Sequence, residues 1–314
     1  MKNFIVKRNL NITLIVITIT SVLLIYYFLS QNLLKEETSK PNVLLKKIPP
    51  KQLPVTFDFD GPSYPNPSLS FSGKLPSMPE EMIVYKVIQP NITEEYVREI
   101  GEKMIGNSKN AELRRSSRLG LFFLNSPDWS LEVDPANGTI TLRKIAVDSS
   151  DSGVEKRSYP STEQCKTIAN EFLKRHKLLS DDLYVRGVVD NTKSSFGVMS
   201  VGYNRKIDGY NTWGAGSGIS VHINANGEVV RFSKHWQEIE PYGTCEIKKP
   251  EDALKELLNG KGVLMNGDSG KIISIELRYY SSPQQQQYLQ PIYYFKCTRD
   301  DGDFYGIIPA IKDK

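Results

Sequence analysis

The sequence predicts an α+β chain: an N-terminal transmembrane helix, then tandem modules in which a helix precedes an antiparallel sheet. Three observations lead there. An uncharged apolar run opens the chain at Ile12 to Leu29. Capped helical patterns followed by strand patterns recur three times. Two of the strand pairs share an Asn-Gly turn, at Asn137-Gly138 and Asn226-Gly227.

Each element follows in order. Residues 1–11 carry Lys2, Lys7 and Arg8, a basic flank expected to stay in the cytoplasm. Residues 12–30 have the length and apolarity of a bilayer span, with Tyr26 and Tyr27 placed for an interface. The rival reading is a cleaved signal peptide, but "YYFLSQNLLKEE" lacks a small-x-small cleavage pattern. The expected location is therefore the cell membrane, single-pass, with everything after the anchor outside the cytoplasm. Residues 31–80 are rich in Pro and Ser, which read as a semi-rigid stalk.

Order is expected from Glu81. "EMIVYKVIQP" reads as a strand. Thr93 then caps a helix with Glu94 and Glu95 in its first turn and Val97, Ile100, Met104 and Ile105 on one face. The hairpin around Asn137-Gly138 completes a first module, 81–157. Residues 158–314 form a second α+β region, either single or divided into 158–243 and 244–314. Its first helix is capped by Ser161 or Thr162 and buries Ile168, Phe172 and Leu173. Its second starts after Pro250 and stops at Gly260. The two hairpins differ in one respect. Counted from the turn glycine, Leu131 and Val133 are offset by one residue from Val221 and Ile223, and a one-residue slip exchanges sheet faces.

Charge and cysteine content exclude little. The net charge is +4, with Lys and Arg interleaved among Asp and Glu, so no nucleic-acid stripe stands out. Of three cysteines, Cys245 and Cys297 either pair across neighbouring elements or stay reduced with Cys165. The three histidines, His176, His222 and His235, lack metal-ligand spacing, and no metal or cofactor is expected.

The candidate site lies beside the second hairpin. "WGAGSG", Trp213 to Gly218, resembles a phosphate loop, but a strand rather than a helix N-terminus follows it. Its glycines read first as a glycine-rich strand entry, and otherwise as a close backbone approach to a bound peptide. Tyr203, Tyr210, Trp213, Trp236 and Tyr242 cluster around this hairpin, and Tyr279, Tyr280, Tyr288, Tyr293 and Tyr294 cluster near the C-terminus. Aromatics on strands usually fill cores; Tyr and Trp are also the favoured anchors of binding surfaces. The residues taken as a binding surface are Tyr210, Trp213, Gly214, Gly216, Ser217, Trp236, Glu238 and Tyr288.

The stretch from Tyr203 to Pro241 carries a further pattern: Asp208-Gly209, glycines 214, 216 and 218, Asn226-Gly227-Glu228-Val229, then Trp236 and Glu238. A helix at Glu251 to Leu258, "LQPIYYF" at Leu289 to Phe295, and Ile308 to Ala310 complete it. This resembles PepSY-like modules, with a cystatin-like helix-on-sheet fold, and the extracytoplasmic part of YycI-type regulatory membrane proteins. The resemblance covers about 161–311 and, more faintly, 93–145. It implies a non-catalytic binding or regulatory protein that engages an envelope or membrane protein, or a peptide, through an open sheet edge or the aromatic surface. Two alternatives stand beside this reading. One is a surface hydrolase using Ser217 or a carboxylate with His222 or His235. The other is a purely structural envelope protein.

Overall fold

Among the described residues strands, not helices, carry most of the regular structure. The computed structural model describes residues 45–48, 64, 67–106, 110–145, 158–194, 197–282 and 286–312. Of these residues 49% are in strands and 15% in helices. This corrects the expected α+β class: the fold is mostly β, one large mixed sheet with three helices among the described residues. The expected transmembrane segment at 12–30 and the tail before it lie outside the described residues. Among the described residues no helix is long and apolar enough to cross a membrane. The transmembrane element and the single-pass membrane location are corrected on that finding.

The three helices form where their caps place them. In α1 (Glu94–Ile105), the Thr93 hydroxyl accepts from the Tyr96 N–H, and Val97, Gly101 and Met104 are buried. In α2 (Thr162–Arg175), Ser161 and Gln164 form a reciprocal capping box, and Cys165, Ala169, Phe172 and Leu173 are buried. Both pack on one face of the first part of the sheet. A meander of β3 (Glu112–Arg115), β4 (Phe122–Asn125), β5 (Trp129–Val133) and β6 (Ile140–Lys144) follows α1. A second meander follows α2: β7 (Leu183–Asn191), β8 (Val198–Ile207), β10 (Ser217–Ile223) and β11 (Val229–Trp236). The last strands of the two meanders pair with each other, Leu142 opposite Phe232, so the halves share one sheet and one core.

The one-residue offset between the hairpins is absorbed in their loops. Val133 pairs with Ile140, whereas Ile223 pairs with Val229, and Val230 bulges before His222 meets Arg231. Both loops are longer than a two-residue turn. Each opens on an Asx turn, in which Asp134 accepts from Ala136 N–H and Asn224 accepts from Asn226 N–H.

A second part of the sheet forms around two long strands, β14 (Ser269–Tyr280) and β15 (Tyr288–Arg299), with β16 (Gly302–Pro309) and β13 (Val263–Met265) beyond. β2 (Glu81–Ile88) pairs along β12 (Glu238–Glu246) and meets the start of β15. Side chains alternate across β14 and β15. Ile275, Leu277, Tyr279, Tyr293, Phe295 and Cys297 face a core closed by α3 (Pro250–Leu258) and the β2–β12 ribbon. Described residues of the Pro-rich stretch pack on this core too, among them Ile48, Phe71 and Met78, and β1 (Ser68–Ser70) runs parallel to β14. All three cysteines are free and buried, so Cys245 and Cys297 do not pair. Burial pushes both thiols up to about 12.

Candidate binding cleft

The two parts of the sheet are joined by a short strand. β9 (Tyr210–Trp213) turns back from β8 through Asp208 and Gly209 and runs antiparallel to it, then lies parallel to the end of β14 with Trp213 opposite Tyr280. The chain continues along Ser281 and Ser282 before returning to the first sheet as β10. Ser281 N–H donates to the Trp213 carbonyl at 2.8 Å, and Gly216 N–H donates to the Ser281 carbonyl at 3.0 Å. This explains the glycines. A Cβ on Gly214 would lie 2.2 Å from the Ser281 carbonyl oxygen, and one on Gly216 would lie 1.8 Å from that of Ser282. The close backbone approach expected from "WGAGSG" is to the chain's own strand.

Trp213 therefore stands at the seam, and a cleft of about 760 Å3 opens above it. One wall is the helix-free face of the first sheet, with Tyr184, Arg186, Gly187 and Val189 on β7 and Asn204 on β8. The other is the face of the second sheet opposite its core, with Arg278 and Tyr280 on β14, Tyr294 on β15 and Tyr305 on β16. The rings form a continuous run. The Trp213 ring lies 6.1 Å from that of Tyr280 and 6.3 Å from that of Tyr294, which stacks on Tyr305 at 5.2 Å. Tyr280 and Tyr294 are buried and Trp213 and Tyr305 half-buried, so the platform is rigid at its base and accessible at its lip.

Two guanidinium groups line the cleft and differ in partners. Arg278 lies over Tyr294, 3.6 Å from the ring centroid, and pairs with Glu276 at 2.7 Å. Arg186 is exposed, and among the described residues it has no carboxylate partner. Burial raises the phenol pKa of Tyr294 and of Tyr184, while Arg278 opposes the rise in both.

The residues expected to form the site separate. Trp213 and Gly214 line the cleft, and Gly216 fixes the seam beneath it. Ser217 is 5% exposed, and its hydroxyl has no partner among the described residues. Tyr210 points the other way, edge-on to Tyr279 in the second core. Trp236 packs on the first core with the Arg205 guanidinium 4.7 Å from its ring. Glu238 begins β12, opposite Ile88. Tyr288 packs on Tyr242 at 4.9 Å. Tyr184, Arg186, Arg278 and Tyr305 were missed. Arg278 and Tyr280, two apart on one strand, are the readable sign that β14 presents a second face, opposite its core.

Of the groups of the hydrolase alternative, Ser217 and His222 are not assembled, and His235 lies 3.1 Å from the Thr139 hydroxyl. Ser217 lies on the same face of β10 as the core residues Ile219, Val221 and Ile223, whereas His222 occupies the opposite face. Opposite His222 is Ser200, 2.9 Å from Nδ1, which in turn accepts from Asn191. The charge beside this imidazole is Arg231. Burial first, then Arg231, lowers the His222 pKa to about 4. A neighbouring cation opposes the imidazolium that general-base catalysis must form. No group of three metal-ligating side chains occurs among the described residues.

No protein-family model matches the chain, and no curated protein does. Two solved structures are similar at low level. One is an uncharacterised protein from Eubacterium rectale, with 10% identity, a TM-score of 0.48, and coverage of 79% of this chain and 90% of that one. The other is the C-terminal domain of YpeB from Bacillus megaterium, with 13% identity, a TM-score of 0.40, and coverage of 70% and 94%. At such identities and scores neither likeness carries a functional argument. The resemblance to PepSY-like and YycI-type proteins remains one of motifs.

Proposed function

We propose that this protein is a non-catalytic binding or regulatory protein that takes a peptide or a segment of a protein partner in the Trp213 cleft. The observation that supports this is the run of rings from Trp213 through Tyr280 and Tyr294 to Tyr305, held open between two sheet faces. Rigid aromatic rings desolvate a large area while losing little side-chain freedom, which suits them to anchor a partner. A site of this size, mostly apolar with two cationic groups, holds and orients a ligand.

The test is selection from a random-peptide phage library on the full chain, followed by affinity measurement by fluorescence anisotropy. Selected peptides should lose about 2 kcal/mol of binding, some thirtyfold, when Trp213 is replaced by Ala, the loss typical of a buried aromatic anchor. Peptides that bind Trp213→Ala as tightly as the parent would overturn the assignment of the cleft.

A further inference from the structure

We infer that the cleft selects an extended peptide carrying a carboxylate side chain, which pairs with Arg186 while the peptide backbone adds to the free edge of β7. This rests on the cleft being the binding site, and narrows it.

Three features support the inference. The first is the free edge. β7 pairs with β8 on one side, and among the described residues no strand lies on its other side. The strand is nine residues long, and Tyr184, Arg186, Gly187 and Val189 along it line the cleft. An unpaired strand edge offers a row of N–H and C=O groups to an extended chain, and pockets beside it read alternate side chains.

The second feature is the way Arg186 is held. The register of β7 shifts between Val185 and Gly187, which places Arg186 at a bulge. Bulges re-aim the side chain they carry. On β8, Gly202 pairs with the next residue, Gly187, and a Cβ there would lie 3.1 Å from an Arg186 terminal nitrogen. The guanidinium thus lies over a position with no side chain. A bulge on one strand and a glycine on the next together direct it over the helix-free sheet face.

The third feature is charge. Around the cleft, Arg278 is neutralised by Glu276, and Lys296 on the same sheet face by Asp303 at 2.8 Å. Lys206 lies 5.5 Å from the Tyr184 ring centroid. Among the described residues neither Lys206 nor Arg186 has a carboxylate partner, and of the two only Arg186 lines the cleft. A guanidinium presents a planar fork of donors that matches a carboxylate, and beside low-dielectric aromatic walls that pairing is strengthened.

The experiment uses the phage-selected peptides and full-length protein. Selected sequences should share an Asp or Glu at a fixed distance from an aromatic or apolar residue. Replacing Arg186 by Gln should weaken these peptides about tenfold. The same substitution should leave their Asn or Gln counterparts unaffected. Arg186→Glu should invert the preference, favouring counterparts with Lys at that position. N-methylation of peptide amides should abolish binding at alternate positions only, the signature of one-sided strand pairing. Peptides that require Trp213 yet lack an acidic residue, or are indifferent to Arg186→Gln, would overturn the inference and leave the cleft reading intact. Competition by acetate or glutarate at the peptide's own concentration would overturn the peptide assignment. Selection of nothing, or of peptides indifferent to Trp213→Ala, would overturn both.

Discussion

Gly216→Ala isolates what the seam contributes, because at this position only space is at issue. The backbone there is not left-handed, so alanine carries no conformational penalty. Its Cβ, however, would lie 1.8 Å from the Ser282 carbonyl oxygen and 2.5 Å from the carbonyl carbon. A tolerable carbon–oxygen contact is about 3.3 Å, so the two backbones must part by roughly 1.5 Å. That separation breaks the two hydrogen bonds exchanged between 213–216 and Ser281. Ser281 and Ser282 are 1% and 4% exposed, so water does not readily replace the lost partners. At about 1–3 kcal/mol for each buried group left unpaired, the cost is about 4 kcal/mol. For a domain of this size that is a fall in Tm of about 10 °C. The assay is urea and thermal unfolding followed by circular dichroism, with Gly106→Ala as comparison. Gly106 has φ +86° and ψ −102°, but nothing lies within 4 Å of its added Cβ, so its cost is backbone strain alone, about 1–3 kcal/mol. If Gly216→Ala is no more destabilising than Gly106→Ala, the seam does not hold the two sheets as described.

Three further outcomes are expected. The folded-state pKa of His222 is depressed, so its protonation favours the unfolded chain. Stability is unaffected by this group above the unfolded value of about 6.5 and declines as pH falls from there towards 4. The full loss is on the order of 2–3 kcal/mol; His222→Asn should flatten this slope in urea titrations, and an unchanged slope would refute it. The three buried thiols should resist Ellman's reagent at pH 8 in the native protein and react only on unfolding; rapid stoichiometric labelling would contradict their placement. Tyr210→Ala should lower stability by about 2 kcal/mol with peptide affinity unchanged, because its ring packs on Tyr279 in the core. Lost affinity in folded Tyr210→Ala would return Tyr210 to the binding surface.

The sequence made the local elements readable. Thr93, Ser161 and Pro250 mark helix starts because each satisfies or avoids unpaired donors within a few residues. The overall class was misjudged for a non-local reason. The apparent helix-plus-hairpin repeats gave the helices undue weight, and nothing local indicates that β2 pairs with β12 and β15. At the site, "WGAGSG" signalled a strand entry or an approach to a bound peptide, and the approach is to the chain's own Ser281 and Ser282. These partners could not be read. On β14 and β15, the core-facing Tyr279 and Tyr293 look no different in sequence from the cleft-facing Tyr280 and Tyr294. The placement of Arg186 depends on Gly202 of the neighbouring strand, a contact that no local pattern encodes.

The β2–β12 ribbon has a consequence for how the protein comes to exist. Ile88 sits opposite Glu238, and both meanders and two helices lie between them in sequence. During synthesis β2 emerges early, yet its neighbour is not made until the whole first sheet has left the ribosome. Within the first sheet each meander is built from short-range pairings and can assemble as it appears. The second sheet must wait for its distant strands, and such long-range closure is intrinsically slow. Until then β2 is an apolar strand with both edges bare, and the newborn chain is at its most vulnerable to aggregation.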